Sequence, residues 1–193
     1  MTTQRREAFI VSGARTPIGK FQGTLANIPA PELGAVVVRE AVKRSGVPLE
    51  LVEEVLVGNV VGAGLGQAPA RQVALKAGLK DTISATRLDK VCGSGLKAAM
   101  LASSMIRAGD ADVLVAAGME NMNRAPYLLT NARFGYRMGN TEMFDAVIKD
   151  GLWCAFEDWH MGRAAEFIAR ECGITREMQD EFAFQSHQKA IAA

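Results

Sequence analysis

Histidine is nearly absent from this sequence and cysteine is sparse: two histidines and three cysteines stand among 193 residues. The cysteines fall at the irregular positions 92, 154 and 172, which build neither a disulfide framework nor a zinc-ligand spacing. No metal site is expected. An odd number of thiols suits a reducing compartment, with the cytoplasm as the default. There is also no block of like charge. The 22 basic and 21 acidic residues are spread along the chain and leave a net charge of +1, which removes the electrostatic case for nucleic acid. No apolar run approaches membrane-spanning length, so no membrane partner is expected. The polar stretch 1–7 leads into an apolar segment too short for the core of a signal peptide, and a transit peptide is not expected either.

What is present is apolar enough to fold. Hydrophobic residues make up 49% of the chain, sufficient for one large globular domain or one and a half. Ala8 to Ser12 is β-prone and is broken by Gly13-Ala14-Arg15-Thr16-Pro17, which predicts a buried strand leaving the core. From Pro31 to Ser45, Leu33, Val36, Val37, Ala41 and Val42 share a helical face, with Gly46 as the stop. Val55-Leu56-Val57 leads into a glycine-rich loop that runs to Gly66. This loop is not a dinucleotide fingerprint: Gln67 stands where the third glycine belongs, and Pro69 enters the next turn. A helix over 67–77, a β-prone run over 82–91 and an unbroken apolar strand over 113–118 follow, the last expected to be covered on both faces. Strand, crossover helix and strand recur, which predicts an α/β fold with a mixed or parallel sheet and helices on its faces.

After Glu120 the character changes. Asn121 to Gly151 is rich in Met, Asn, Arg and Gly with little periodicity, which places a domain-scale excursion there. The division expected is a first domain over 1–121 and the start of a second over 122–193. Two helices close the chain, Arg163 to Cys172 and Thr175 onward, with Thr175 as N-cap and Glu177 in the first turn. The second runs to Ile191-Ala192-Ala193 without a C-terminal cap, which gives the expectation of a fragment.

The residue with the most chemistry is Cys92, in Val91-Cys92-Gly93-Ser94-Gly95-Leu96. Leu96, Ala99, Met100, Ser103 and Ile106 are at helical spacing, so the cysteine stands at or just before a helix start, with a strand following the helix. Unpaired amides and the positive end of the helix dipole meet at such a place. They favour a thiolate and supply donors for an oxyanion. Buried in an apolar core, the same residue is inert.

The motif does not stand alone. Val91-Cys92-Gly93-Ser94-Gly95-Leu96-Lys97-Ala98, Gly109-Asp110-Ala111, Ala117-Gly118-Met119-Glu120-Asn121-Met122 and Ala125-Pro126 together resemble the thiolase family, in particular its acetyl-CoA acetyltransferases. So do Ala14 to Gly19, Gly66 to Gln72, Lys149 to Leu152 and His160-Met161-Gly162. The resemblance covers essentially the whole chain but about the N-terminal half of a family member. It implies that Cys92 is the nucleophile that takes the acyl group from acetyl-CoA. It also implies that Leu152, His160 and Met161 contact coenzyme A, with acetyl-CoA or short-chain 3-ketoacyl-CoA as substrate and no further cofactor. A thiolase-like sheet with helices on both faces and the start of an inserted loop domain are implied for the fold. Phe134 to Gly139 resembles the family's tetramer-forming loop and Ser84 to Leu88 its dimer-pairing strand, which implies a homo-oligomer. His187, Cys154 and Cys172 match no family motif and are read as surface or structural residues.

Two departures matter. Family members commonly carry Asn three residues before the nucleophile, where this chain has Asp89, a carboxylate that opposes thiolate formation unless a cation pairs with it. The family's activating histidine, second catalytic cysteine and asparagine oxyanion site belong to the missing C-terminal half of the same enzyme, so these residues alone are expected not to turn over substrate. Ketoacyl and hydroxymethylglutaryl-CoA synthases also present a cysteine at a helix start, but Gly118-Met119-Glu120 and His160-Met161-Gly162 favour thiolase. The non-enzymatic alternative is an acyl-CoA-binding or oligomerising half-domain.

Overall fold

A computed structural model describes residues 6–193. The expectation for 1–5, a polar leader with no targeting features, lies outside the described residues. The chain forms two compact units that divide in sequence between Gly151 and Leu152. The change of character after Glu120 falls inside the first of them.

The centre of the first unit is Val55-Leu56-Val57, all three side chains fully buried. They lie in β1 (Glu54–Gly58), the middle of a parallel sheet of order β2-β1-β3, with β2 at Ser84–Leu88 and β3 at Leu114–Gly118. Successive residues of a strand face opposite ways. Val55 and Val57 therefore pack with Val38 and Val42 of α1 (Ala30–Ser45) and Val73 and Ala74 of α2 (Pro69–Lys76), and Leu56 packs with Ala98 and Ala102 of α3 (Ser94–Ala108). Each of the buried valine and leucine side chains contributes about 1.5–3 kcal/mol. Helices thus cover both faces of a parallel sheet, an α/β fold as expected. Gly46 and Gly109, at φ +69° and +85°, end α1 and α3 where a side chain would be strained.

Three expectations are corrected. Ala8 to Ser12 is not a strand: it has no ladder partner among the described residues, and Ile10 is 92% exposed. It is tied instead to α1, where Ser12 Oγ donates to the Ala41 carbonyl at 2.5 Å and Arg44 donates to the Gly13 carbonyl at 3.3 Å. A cavity of about 670 Å³, lined by Phe9, Val37, Ala99, Ile106 and Val115 among others, includes both this segment and β3 in its wall. The same cavity explains the second correction. β3 is partly exposed along its length rather than covered on both faces. Third, α1 buries Ala30, Pro31, Gly34, Ala35, Val38 and Val42, while Val36 is 53% exposed. Small residues turn inward because α1 comes close to α2: a Cβ on Gly34 would lie 2.9 Å from Val73 Cγ2.

Beyond β3 the chain makes a 3-10 turn at Met122–Arg124, a short antiparallel ladder between β4 (Tyr127–Leu128) and β5 (Phe144–Asp145), and a π-helical stretch at Val147–Leu152. The second unit holds α4 (Met161–Glu171) and α5 (Arg176–Ala192). Thr175 caps α5 by accepting the Met178 amide, as expected, and His187 is exposed on that helix.

Candidate active site

Cys92 is exposed and lies two residues ahead of the first residue of α3, with Gly93 as N-cap. The turn that carries it is held from both sides. Asp89 Oδ1 accepts the Val91 amide at 2.8 Å, and Ser94 Oγ accepts the Lys90 amide at 2.9 Å while donating to the Val91 carbonyl at 2.6 Å. The Gly93 amide donates to the Lys90 carbonyl, and the Ser94 amide to the Val91 carbonyl. The Cys92 amide takes part in none of these bonds. Val91 sits at φ +47°, which costs a β-branched residue on the order of 1–2 kcal/mol. The hydrogen bonds around it offset that strain.

Below the turn, α3 rests directly on the strand ends. Gly58 and Gly118 stand side by side at the ends of β1 and β3. A Cβ on Gly58 would fall 2.5 Å from the Ser94 carbonyl carbon and 2.6 Å from the Gly95 nitrogen, and one on Gly118 would fall 3.5 Å from the Gly95 Cα. Only strands that end in glycine let the helix start come this close. Ser94, 4% exposed, is pressed into the same contact.

Next to this seat lies a polar cluster that sequence reasoning did not assemble. Asn59, 1% exposed, donates from Nδ2 to Glu120 Oε1 at 2.8 Å and accepts from Arg87 Nη1 at 3.1 Å on Oδ1. Glu120 Oε2 accepts the Val60 amide at 2.8 Å. The cluster joins the C-terminal ends of all three strands. Burial raises the Glu120 carboxyl above its ordinary value, the Val60 and Val61 amides pull it back, Asp89 raises it and Arg87 lowers it. Two signals were available: Asn59 directly follows a buried strand, and Glu120 stands in a recognised motif.

A raised folded-state value means that the proton is held more tightly in the folded protein. The associated stability is present below the unfolded value, ordinarily 4.5, and is lost as pH rises through the raised folded one. The difference in Tm between the wild type and Glu120→Gln is therefore expected to move against the wild type as pH climbs from about 4.5 towards neutrality. Differential scanning calorimetry across that range checks this, and a difference independent of pH contradicts it.

The remaining sequence candidates lie in the second unit. His160 is the N-cap of α4, and its Nδ1 accepts the Gly162 amide at 3.0 Å, which leaves Nε2 as the ring's donor. Its backbone bridges to Trp153, the neighbour of Leu152, and Met161 opens the helix half-exposed. Trp159 packs against Phe167, ring centres 5.5 Å apart and tilted by 42°, with Arg163 over the Trp159 ring. Leu152, His160 and Met161 thus belong to one small assembly, while Cys92, Asp89 and the Asn59 cluster belong to the first unit. Cys154 and Cys172 are free thiols of the second unit.

The chain is similar to known proteins along nearly its whole length. The family model described as "Thiolase, N-terminal domain" matches residues 8–193. An acetyl-CoA acetyltransferase of Cupriavidus necator is 56% identical over 187 residues, covering 97% of this chain and 48% of the relative. An acetyl-CoA acetyltransferase of Pseudomonas aeruginosa is 54% identical, and a probable acetyl-CoA acetyltransferase of Escherichia coli 50% identical, each over 188 residues and with the same two coverages. The chain spans about half the length of the curated relatives it matches.

Proposed function

The chain belongs to the thiolase family, and from that premise we propose that Cys92 is the acyl acceptor of an acetyl-CoA acetyltransferase whose other catalytic groups lie in sequence corresponding to its relatives' second half. The observation that carries the proposal is the exposed thiol at the mouth of α3, in a turn whose other amides are hydrogen-bonded and whose seat is closed by glycines. The Cys92 thiol gives up its proton to a base, the resulting thiolate attacks the carbonyl carbon of acetyl-CoA, the carbon–sulfur bond to coenzyme A breaks, and coenzyme A leaves with that proton. A second acetyl-CoA, deprotonated at its α-carbon, attacks the acyl-cysteine and releases acetoacetyl-CoA and the thiolate. Thiolysis is the reverse. The Cys92 amide and the start of α3 favour the oxyanion formed on the way.

Leu152, His160 and Met161 are the proposed coenzyme A contacts, with His160 Nε2 as a donor towards the pantetheine. The outer edge of β2 and the loop with Phe134 and the fully exposed Met138 are the proposed surfaces of a homo-oligomer. Three free thiols fit a reducing compartment, the cytoplasm. The test is complementation. Mixed with a polypeptide matching the second half of the Cupriavidus necator relative, this chain is expected to cleave acetoacetyl-CoA in the presence of coenzyme A, and alone it is not. Turnover by this chain alone, lost in Cys92→Ala, would contradict the proposal.

A further inference from the structure

We propose that Asp89 is the positioning residue of the nucleophile: by accepting the Val91 amide it holds the left-handed turn that presents Cys92. This rests on the reading of Cys92 as acyl acceptor. The sequence alone casts Asp89 as a liability, a carboxylate near a thiol that must ionise. The structure gives it a different task. Its Oδ1 bonds to the amide two residues on, the geometry of an Asx turn, and so closes the chain back on itself just before the cysteine. The residue between Asp89 and Cys92 that suffers for this is Val91, whose φ of +47° belongs to glycine or asparagine rather than to a β-branched side chain. Such a conformation persists only where the surroundings impose it. Ser94 imposes it from the helix side, through the Lys90 amide and the Val91 carbonyl, and Ser94 is itself fixed by burial against Gly58. Asp89 imposes it from the strand side. It directly follows β2, so it transmits the position of the sheet to the turn.

The bond asks only for an acceptor oxygen. Asparagine supplies one without the charge, and alanine supplies none. Glycine at position 91 would adopt the turn without strain and should need Asp89 less. These three facts define a test that separates a conformational role from an electrostatic one and from mere stabilisation.

The experiment measures the rate at which iodoacetamide alkylates Cys92, by peptide mass spectrometry on the intact 193-residue chain, with the exposed Cys172 as internal reference. Circular dichroism and urea titration monitor the fold. In Asp89→Ala the ratio of Cys92 to Cys172 labelling is expected to fall about tenfold, the consequence of losing one hydrogen bond to a charged acceptor. Asp89→Asn is expected to restore it, and so is Asp89→Ala/Val91→Gly. The proposal is overturned if Asp89→Ala labels like the wild type, or if Asp89→Asn is as slow as Asp89→Ala. If Asp89→Ala fails to fold, the comparison of wild type with Asp89→Asn decides: a ratio in Asp89→Asn equal to or above that of the wild type supports the hydrogen bond, and a lower ratio overturns it. The acyl-acceptor reading is judged separately, by whether wild-type Cys92 outpaces Cys172.

Discussion

Gly58→Ala is expected to destabilise the first unit by about 3 kcal/mol or more, at the upper end of what overpacking a close contact costs. The added methyl would stand 2.5 Å from the Ser94 carbonyl carbon and 2.6 Å from the Gly95 nitrogen. Both are backbone atoms at the start of α3, so neither can turn aside. Relief requires lifting the helix from the sheet, which would also unseat Ser94 and the turn it holds. Gly62→Ala is the instructive comparison. There the methyl would overlap Arg87 Nη1 at 1.7 Å, nominally a worse clash. Nη1 is the end of a long flexible side chain, however, and it can swing away at the expense of its bond to Asn59. About 1 kcal/mol is expected for that loss. Urea unfolding of the two variants should therefore rank them opposite to their nominal distances. A Gly58→Ala variant as stable as Gly62→Ala would show that α3 does not rest on β1 as described.

The second large effect concerns chemistry rather than stability. Cys92→Ala, in the protein complemented with its relatives' second half, is expected to abolish acetoacetyl-CoA thiolysis, by about a thousandfold or more, the scale on which removing a covalent nucleophile acts. The fold should be indifferent. Cys92 is exposed, its side chain fills no part of the core, and the hydrogen bonds of its turn involve Asp89, Lys90, Val91, Gly93 and Ser94. A Cys92→Ala variant that unfolds would assign the residue a structural task that this geometry does not contain.

Much of this was legible in the residues. Val55-Leu56-Val57 marks a buried strand that runs into a glycine-rich loop, and the apolar run ending in Gly118 marks a second strand. Cys92 before a helical pattern marks a helix start. The missed features share one cause: each depends on a neighbour distant in sequence. Ala8 to Ser12 has the composition of a strand, but a strand requires a partner, and in the described residues this segment has none. The unbroken apolar run of β3 implies cover on both faces, yet its wall of the cavity stays open. On α1, apolar periodicity pointed to Val36 and Val37, while close packing on α2 selected Gly34 and Ala35, where little side chain was there to read. Asn59, Arg87 and Glu120 come from the ends of three different strands, and no local pattern joins them. Asp89 was visible as a departure, but its meaning depends on a single hydrogen bond to the Val91 amide.

The central claim, that Cys92 receives the acyl group, is tested most directly by locating that group. The chain is incubated with acetyl-CoA. After an acid quench, the acetylated peptides are identified by mass spectrometry. The account predicts acetyl on Cys92, none on Cys154 or Cys172, and no transfer to another thiol in Cys92→Ala. Acetyl shared between Cys92 and Cys172, which is exposed as well, or absent from Cys92, would contradict it.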